Sequence, residues 1–397
     1  MAPFLVKRRS FRSNIFGIFS IKKERKLMKV PFIDILRYEK NFFETVSEKT
    51  AALLKNGHFV GGPVIAEFEE ALKSYTRTEH AFGCANGTDA IQIALRAVGV
   101  EKNDRVLIPD MTFWATFEAV VNVGAVPYTI DVSRETLHLS SQSVKEAIEK
   151  FKPKAMIMVH LYGWACPDTL EIRKICHETG VILIEDCAQA IGVKIEGMSL
   201  LTGAFVATTS FYPAKVLGAS GDAGGIFTTS SQVADTAKKL INHGRISHYE
   251  HGFIGWNSRL GAYEANFLNE SLKHLEARLE SRRKVCSEYR NKIKQPLLKF
   301  ISPASNVVEN GYLSVALMTP ETRPAFIEYL KKHDIGYGTV YPGAMSEQPG
   351  AQGHIGGKIS HGNADWIAKS VINLPCFSYM TQEEVDHVIT IVNNYRG

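Results

Sequence analysis

The sequence predicts an α/β protein: a large domain with a mainly parallel sheet flanked by helices, plus a smaller C-terminal α/β domain. Three observations carry that expectation. Short, continuously apolar runs alternate with amphipathic stretches between residues 105 and 185, the pattern of parallel strands buried on both faces. A long charged helical run, 263–292, then separates this region from a second, mixed one. With 397 residues, 45% of them hydrophobic and 22% charged, the chain has enough material for two cores.

The first 30 residues hold nine of the 46 Lys and Arg against a single acid, Glu24, so the body is mildly acidic despite a net charge of +5. Nothing in that body has the basic footprint of a nucleic-acid binder. The apolar stretch Ile15–Phe19 inside the leader is too short to span a bilayer and lacks a small-residue cleavage site. Residues 1–28 read as a disordered leader ahead of a start at Met28; a membrane-surface anchor is the alternative, and membrane association is not expected. Six cysteines (Cys84, Cys166, Cys176, Cys187, Cys286 and Cys376) show no paired CxxC spacing and no secretory signal accompanies them. Reduced thiols in a cytoplasmic protein, with no metal site, are the expectation.

After the leader, residues 38–55 read as a helix closed by Gly57. Pro63 opens another, with Val64, Ile65, Phe68, Leu72 and Tyr75 at helical spacing. The turn Asn86-Gly87-Thr88-Asp89 precedes a third helix, AIQIALRAV. A βα rhythm follows, with strands at 105–109, 126–130, 155–159 and 181–185, and helices through TFEAVVNVG, near 141–151 and over 168–179. Beyond the 263–292 run come a strand in LSVALM, a helix in RPAFIEYLKKH, a Gly-rich loop and a closing helix, TQEEVDHVITIVNNY. The division predicted is a large ligand-carrying domain over 29–262 and a linking helix with a small domain over 263–397.

Sites in parallel sheets lie at the carboxyl ends of strands, and three features fall there. In NGTDA, Gly87 allows close backbone approach, Thr88 offers a hydroxyl, and the next helix start supplies free N–H groups suited to a phosphate. Read alone, it is more simply a capped helix after a turn. In ILIEDCAQA, Asp186 ends an apolar run where a lone carboxylate is costly unless it meets a cation; an Asp capping the next helix is the plain alternative. Gln189 lies three residues on. In TTSFYPAKVLGASGDAGG, 208–225, a single lysine, Lys215, also ends an apolar strand, beside Ser210 and a glycine-rich loop. A desolvated lysine is a nucleophile towards carbonyls, whereas most lysines are surface residues. Together the three supply a Schiff-base lysine, a pyridinium partner and a phosphate cup, the parts that hold pyridoxal 5'-phosphate.

Beyond those residues the sequence resembles the DegT-like sugar aminotransferases, a branch of the fold type I (aspartate-aminotransferase-like) pyridoxal-phosphate enzymes. The resemblance runs through VPFIDI, GHFVGGPVIAEFEEAL, NGTDA, IPDMTFWAT, VHLYGW, EDCAQAIG, SFYPAKVLGASGDAGG, GWNSRLGAYEAN and INLPCFSYMTQEEV, in family order after Met28. It implies that Lys215 is the Schiff-base lysine, Asp186 the partner of the pyridine nitrogen and Gln189 the neighbour of the phenolic oxygen. Phe113 would stack on the ring, with Trp114 as alternative stacker and core packing as the plain reading. Gly87, Thr88 and Ser210 would form the phosphate cup. Asn257 would reach a phosphate in a neighbouring subunit, which implies a homodimer with shared active sites. His160 and Tyr341 sit in matching stretches and would touch substrate, or else are core and loop residues.

The implied reaction is ping-pong transamination from an amino donor, glutamate in most of the family, to a keto group on a nucleotide-linked sugar, for amino-sugar, polysaccharide or lipopolysaccharide biosynthesis. VPFIDI leans towards carbon 3 of the hexose over carbon 4. The chain departs from the family pattern at Gly261-Ala262-Tyr263-Glu264-Ala265, where a carboxylate is lost and Glu264 replaces glutamine, at Val340-Tyr341-Pro342, and at NGYLSVALM. Two other readings stay open: an aminotransferase acting on a cyclitol or other keto ring precursor, and a non-catalytic pyridoxal-phosphate-binding regulatory protein.

Overall fold

The computed structural model describes residues 28–397, and the basic leader lies outside the described residues. Helices α1 (Phe42–Asn56) and α2 (Pro63–Thr76) lead into β1 (His80–Cys84), α3 (Gly87–Ala97), β2 (Arg105–Pro109), α4 (Trp114–Asn122), β3 (Val126–Ile130), α5 (Ser141–Phe151), β4 (Ala155–Val159), α6 (Thr169–Thr179) and β5 (Ile182–Asp186). A small hairpin, β6 (Lys194–Ile195) and β7 (Met198–Ser199), precedes β8 (Val206–Ser210), β9 (Gly224–Thr228) and α7 (Ser231–Ile241). The chain continues with α8 (Ala262–Lys273), α9 (Leu275–Lys292), β10 (Lys299–Phe300), β11 (Val307–Val308), β12 (Ser314–Leu317), α10 (Arg323–Lys332), β13 (Gly357–Ile359), α11 (Asn363–Ser370), β14 (Val371–Leu374) and α12 (Gln382–Asn393).

Eight strands form one sheet in the order β1-β9-β8-β5-β4-β2-β3-β13. All neighbours from β8 to β13 pair in parallel, while β9 runs antiparallel to both β8 and β1. Every residue of β4 is buried, as expected of a strand covered on both faces. Helix starts are set locally. Ser140 and Thr381 close capping boxes at α5 and α12, and the Asn86 side chain accepts the Asp89 N–H at α3, each contributing about 1 kcal/mol.

Two apolar cores result. One fills the space around the large sheet; the other gathers Val285, Tyr289, Phe326, Leu330, Ile372 and Val388 between α9, α10, α12 and the small β10-β12-β14 sheet. Met345, Ala351 and Ile367 belong to the first core, and β13 extends the large sheet, so the chain returns to the large core late in its length.

The helical run over 263–292 is two helices that meet at His274, whose backbone leaves helical geometry at φ −104° and ψ 0°. Most of α8 is buried between α1, α2 and the large core, whereas α9 turns one face to the small core, and the break redirects the chain between them. Among the described residues no helix is long and apolar enough to cross a membrane. All six cysteines are buried free thiols.

Candidate active site

Because β2, β4, β5 and β8 run in the same direction, the residues just after them converge at one end of the sheet. A cavity of about 870 Å³ opens there. Gly87, Thr88, Ser210, Asp186, Gln189 and Lys215 all line it, as do Phe113 and Tyr341.

The cup at one end is made by backbone approach. An added Cβ on Gly87 would lie 2.7 Å from the Ser210 Cβ, and one on Gly224 would lie 2.3 Å from the Asn86 carbonyl oxygen. Only glycine at both positions lets the Asn86-Gly87 turn seat against β8 and β9. The first-turn N–H groups of α3 have no intrahelical acceptor and face this end, alongside the Thr88 and Ser210 hydroxyls. Gly87→Ala is expected to weaken cofactor binding about ten- to hundredfold, the range of an overpacking clash of about 1–3 kcal/mol. Cofactor titration by absorbance checks it, and unchanged affinity would remove Gly87 from the cup.

Asp186 closes β5 at 5% exposure. Its Oδ1 accepts the Ala188 N–H at 2.9 Å, and Oδ2 lies 3.5 Å from the Thr116 hydroxyl, which in turn bonds Thr112 at 2.8 Å. Burial raises its pKa above the usual carboxylate value, against the pull of the Ala188 N–H and the charge of Lys215. This carboxylate is buried with no cation in direct contact among the described residues.

Lys215 sits five residues beyond the end of β8, in a turn after Pro213 where its N–H donates to the Tyr212 carbonyl at 2.8 Å. It therefore projects from a loop, not from a strand end as expected, because Pro213 cannot continue the ladder. Its Nζ lies 5.1 Å from the centre of the Tyr312 ring. Among the described residues it is the only cation lining the cavity.

Gln189 is fixed from both sides. Its Oε1 accepts the Tyr162 N–H at 2.7 Å and its Nε2 donates to the Tyr341 hydroxyl at 2.8 Å, while Asn310 holds the turn by donating to the Gln189 and Ile191 carbonyls. Tyr341 thus accepts from Gln189 and keeps its own proton for a ligand; burial raises that phenol well above its ordinary pKa, so it stays protonated. Phe113 is 56% exposed at the N-cap of α4, with its ring 5.8 Å from that of Tyr341, so core packing does not account for it. Trp114 packs on Phe117 instead.

His160 does not reach the cavity, which corrects the expectation of substrate contact. It is fully buried: Nε2 donates to Glu185 at 3.0 Å and Nδ1 accepts the Cys166 N–H at 3.1 Å. Glu185 also receives Arg173 at 2.8 and 3.0 Å. Alternation explains the placement: Glu185 points to the opposite sheet face from Asp186, and His160 joins it there. Asn257 is exposed, accepts from Arg259 at 2.6 Å and does not line this chain's own cavity.

Sequence reasoning missed Thr116, Tyr312 and the second buried histidine, His138. The Nδ1–H of His138 donates to the Thr136 carbonyl at 2.8 Å and its Nε2 accepts the Leu161 N–H at 3.0 Å, pinning the turn whose Leu161 lines the cavity. Burial pushes its pKa from 6.5 down to about 4. The unfolded chain therefore binds a proton that the folded chain refuses, so stability is full above pH 6.5 and falls towards about pH 4, by at most about 3 kcal/mol. Urea unfolding of His138→Asn is expected to show a shallower loss over that window; an unchanged slope would remove the assignment.

The geometry passes the test for pyridoxal phosphate: an anion cup, a buried carboxylate lacking a cation and one lysine share a single cavity. A profile of the DegT/DnrJ/EryC1/StrS aminotransferase family matches residues 41–393. The chain belongs to that family. Within the DegT/DnrJ/EryC1/StrS family it is similar to the pleiotropic regulatory protein of Geobacillus stearothermophilus, 31% identical over 91% of this chain and 97% of the relative. It is likewise similar to the UDP-2-acetamido-2-deoxy-3-oxo-D-glucuronate aminotransferase of Pseudomonas aeruginosa, 31% identical over 92% of this chain and 100% of the relative. Among solved structures it resembles S. venezuelae DesV, with a TM-score of 0.87, 30% identity and coverage of 92% and 98%. It also resembles NtdA from Bacillus subtilis with bound cofactor PMP, with a TM-score of 0.84, 26% identity and coverage of 94% and 86%. Fold type I architecture, aminotransferase activity and dependence on pyridoxal phosphate follow for this member of the family.

Proposed function

We propose that the protein transfers an amino group from an amino acid, glutamate, to a keto group of a nucleotide-linked sugar, in cytoplasmic amino-sugar synthesis for a surface polysaccharide such as lipopolysaccharide. The observation that carries it is the meeting of Lys215, Asp186 and the Gly87–Thr88–Ser210 cup in one cavity. Relatives named for UDP-, dTDP- and GDP-linked sugars support the acceptor class. A large and a small domain belong to the same reading, with α8 and β13 returned to the large domain in place of a clean boundary at 262/263, as does a homodimer in which the exposed Asn257 reaches the phosphate site of the neighbouring subunit.

Bound there, pyridoxal phosphate supplies an electrophilic carbonyl and a ring that withdraws electrons from the bond being broken. Gly87, Thr88 and Ser210 would hold the phosphate, Phe113 the ring face and Gln189 the phenolic oxygen. Asp186 would keep the ring nitrogen protonated, since its carboxylate is more stable beside a positive charge than alone in a buried site. Lys215 Nζ would be the nucleophile that anchors the cofactor's carbonyl and, when free, the base that takes the donor's α-proton and returns it. Tyr341 offers its free O–H to the incoming ligand.

Purified protein with the cofactor is expected to absorb visible light, change spectrum with glutamate while releasing 2-oxoglutarate, and then aminate a nucleotide-linked keto-hexose. Failure with every nucleotide-linked ketose, glutamate exchange intact, would end the acceptor assignment. The regulatory name of the Geobacillus relative favours a second, non-catalytic reading. Bound cofactor without any response to glutamate would establish it, and the presence of both Lys215 and Asp186 in the cavity weighs against it.

A further inference from the structure

Asn310 opens the stretch NGYLSVALM, between β11 and β12, and does not itself line the cavity. It is fully buried, with both donors and the acceptor of its amide engaged. Nδ2 donates to the Gln189 and Ile191 carbonyls at 2.9 and 2.8 Å, and Oδ1 accepts the Tyr312 N–H at 2.9 Å. Its backbone N–H donates to the Gly163 carbonyl, also at 2.9 Å. One residue thus ties together three segments distant in sequence: the turns at 162–163 and 189–191, and the approach to β12.

Two of these segments decide how the Gln189 side chain points. Its amide has unlike ends, and the end the protein takes leaves the other for a ligand. The Tyr162 N–H takes Oε1 at 2.7 Å, so Nε2 is the end that faces Tyr341, at 2.8 Å, and the cavity. The Tyr162-Gly163 turn that makes this choice is left-handed at both residues, with φ 65° and 104°, a conformation that a residue with a Cβ keeps only where its surroundings hold it. A Cβ on Gly163 would lie 2.5 Å from Asn310 Oδ1 and 2.8 Å from the Tyr312 nitrogen, so glycine is what lets the turn close on the asparagine. Asn310 therefore secures both the backbone that Gln189 springs from and the turn that orients its amide. The orientation has a chemical consequence: a phenolic oxygen that has lost its proton only accepts, so Nε2–H pairs with it and Oε1 would repel it.

We infer that Asn310 is a positioning residue for the cofactor, acting through Gln189 by keeping the donor end of that amide towards the phenolic oxygen. The inference rests on the cofactor placement proposed above. A double-mutant cycle tests it, read as the affinity of the apo protein for pyridoxal phosphate and the position of the visible absorption band. Asn310→Asp keeps the shape and the acceptor for the Tyr312 N–H, but not both donors.

Gln189→Ala is expected to weaken cofactor binding about tenfold, the scale of one hydrogen bond to a charged acceptor, and to displace the band. Asn310→Asp is expected to do the same, and the double variant to lose no more than Gln189→Ala does alone. Asn310→Ser, neutral and small enough to admit water, repeats the measurement against a folding defect, with thermal unfolding of each apo variant showing that it is folded. A band and an affinity unchanged in folded Asn310 variants overturn the inference, as do losses that add to those of Gln189→Ala. Failure of both variants to fold overturns it too, since the residue would then serve the fold. If Gln189→Ala leaves affinity and band as they were, the cofactor placement itself has failed and this inference falls with it.

Discussion

Lys215→Ala is expected to lower transamination by about a thousandfold or more while leaving the protein folded. Among the described residues no other cation lines the cavity to take over either the hold on the cofactor or the movement of the proton. Arginine does not substitute: it stays protonated at every accessible pH and cannot act as a nucleophile. The structural cost is small, since the lysine makes no ion pair among the described residues and its ammonium contributes only a contact over the Tyr312 ring at 5.1 Å. Three measurements settle the outcome. The visible absorbance of the loaded protein should be lost, 2-oxoglutarate should not appear in a single turnover with glutamate, and the thermal midpoint of the apo protein should move by no more than a few degrees. Retained absorbance together with a wild-type half-reaction would remove Lys215 from its role.

The same lysine shows where sequence reading stops. The parallel strands were legible because each is a short run buried on both faces: 105–109, 126–130 and 155–159 match the structure residue for residue. The antiparallel β1, β9 and β8 edge was not seen as a sheet. Its pairing joins residues far apart in sequence, and Gly224 and Gly225, which open β9, have low strand propensity and read as loop. Gly224 serves a contact that is not local, the approach of the Asn86 carbonyl to β9. β13 is illegible for a related reason: three residues far along the chain dock on β3.

In the site, charge in an apolar context identified Asp186 and Lys215, since an ion at such a place requires a reason. His160 is singled out by its matching stretch alone, as a substrate contact or a core residue, and the structure makes it a core residue. It follows β4 directly, but its partner Glu185 lies on the opposite sheet face from Asp186, and which face a residue takes after a strand ends depends on the turn. Thr116 and Tyr312 carry no charge and stand in apolar segments, so only proximity in space could single them out.

Asp186→Asn is expected to stabilise the apo protein while lowering transamination by about two to three orders of magnitude. Burial raises the pKa of this carboxyl above 3.8, so the folded chain holds the proton more tightly than the unfolded chain. The sign follows: stability falls as pH rises from 3.8 through the folded value, and at neutral pH the apo protein carries a buried carboxylate at a net cost. Asparagine keeps an oxygen to accept the Ala188 N–H, which Asp186 receives at 2.9 Å, and removes the charge. The gain in apo stability should be about 1–2 kcal/mol, measurable by urea unfolding at pH 7. Loading the cofactor should reverse the order. A protonated ring nitrogen gives the wild-type carboxylate its counter-charge, whereas the asparagine gains no such pairing, so the wild-type protein should be stabilised more by the cofactor than the variant. The crossing of the two stability orders separates a carboxylate placed for a cation from one placed to cap the next turn, because a purely structural cap would lose stability in both states. An apo variant less stable than the wild type, or one that transaminates at the wild-type rate, would overturn the assignment.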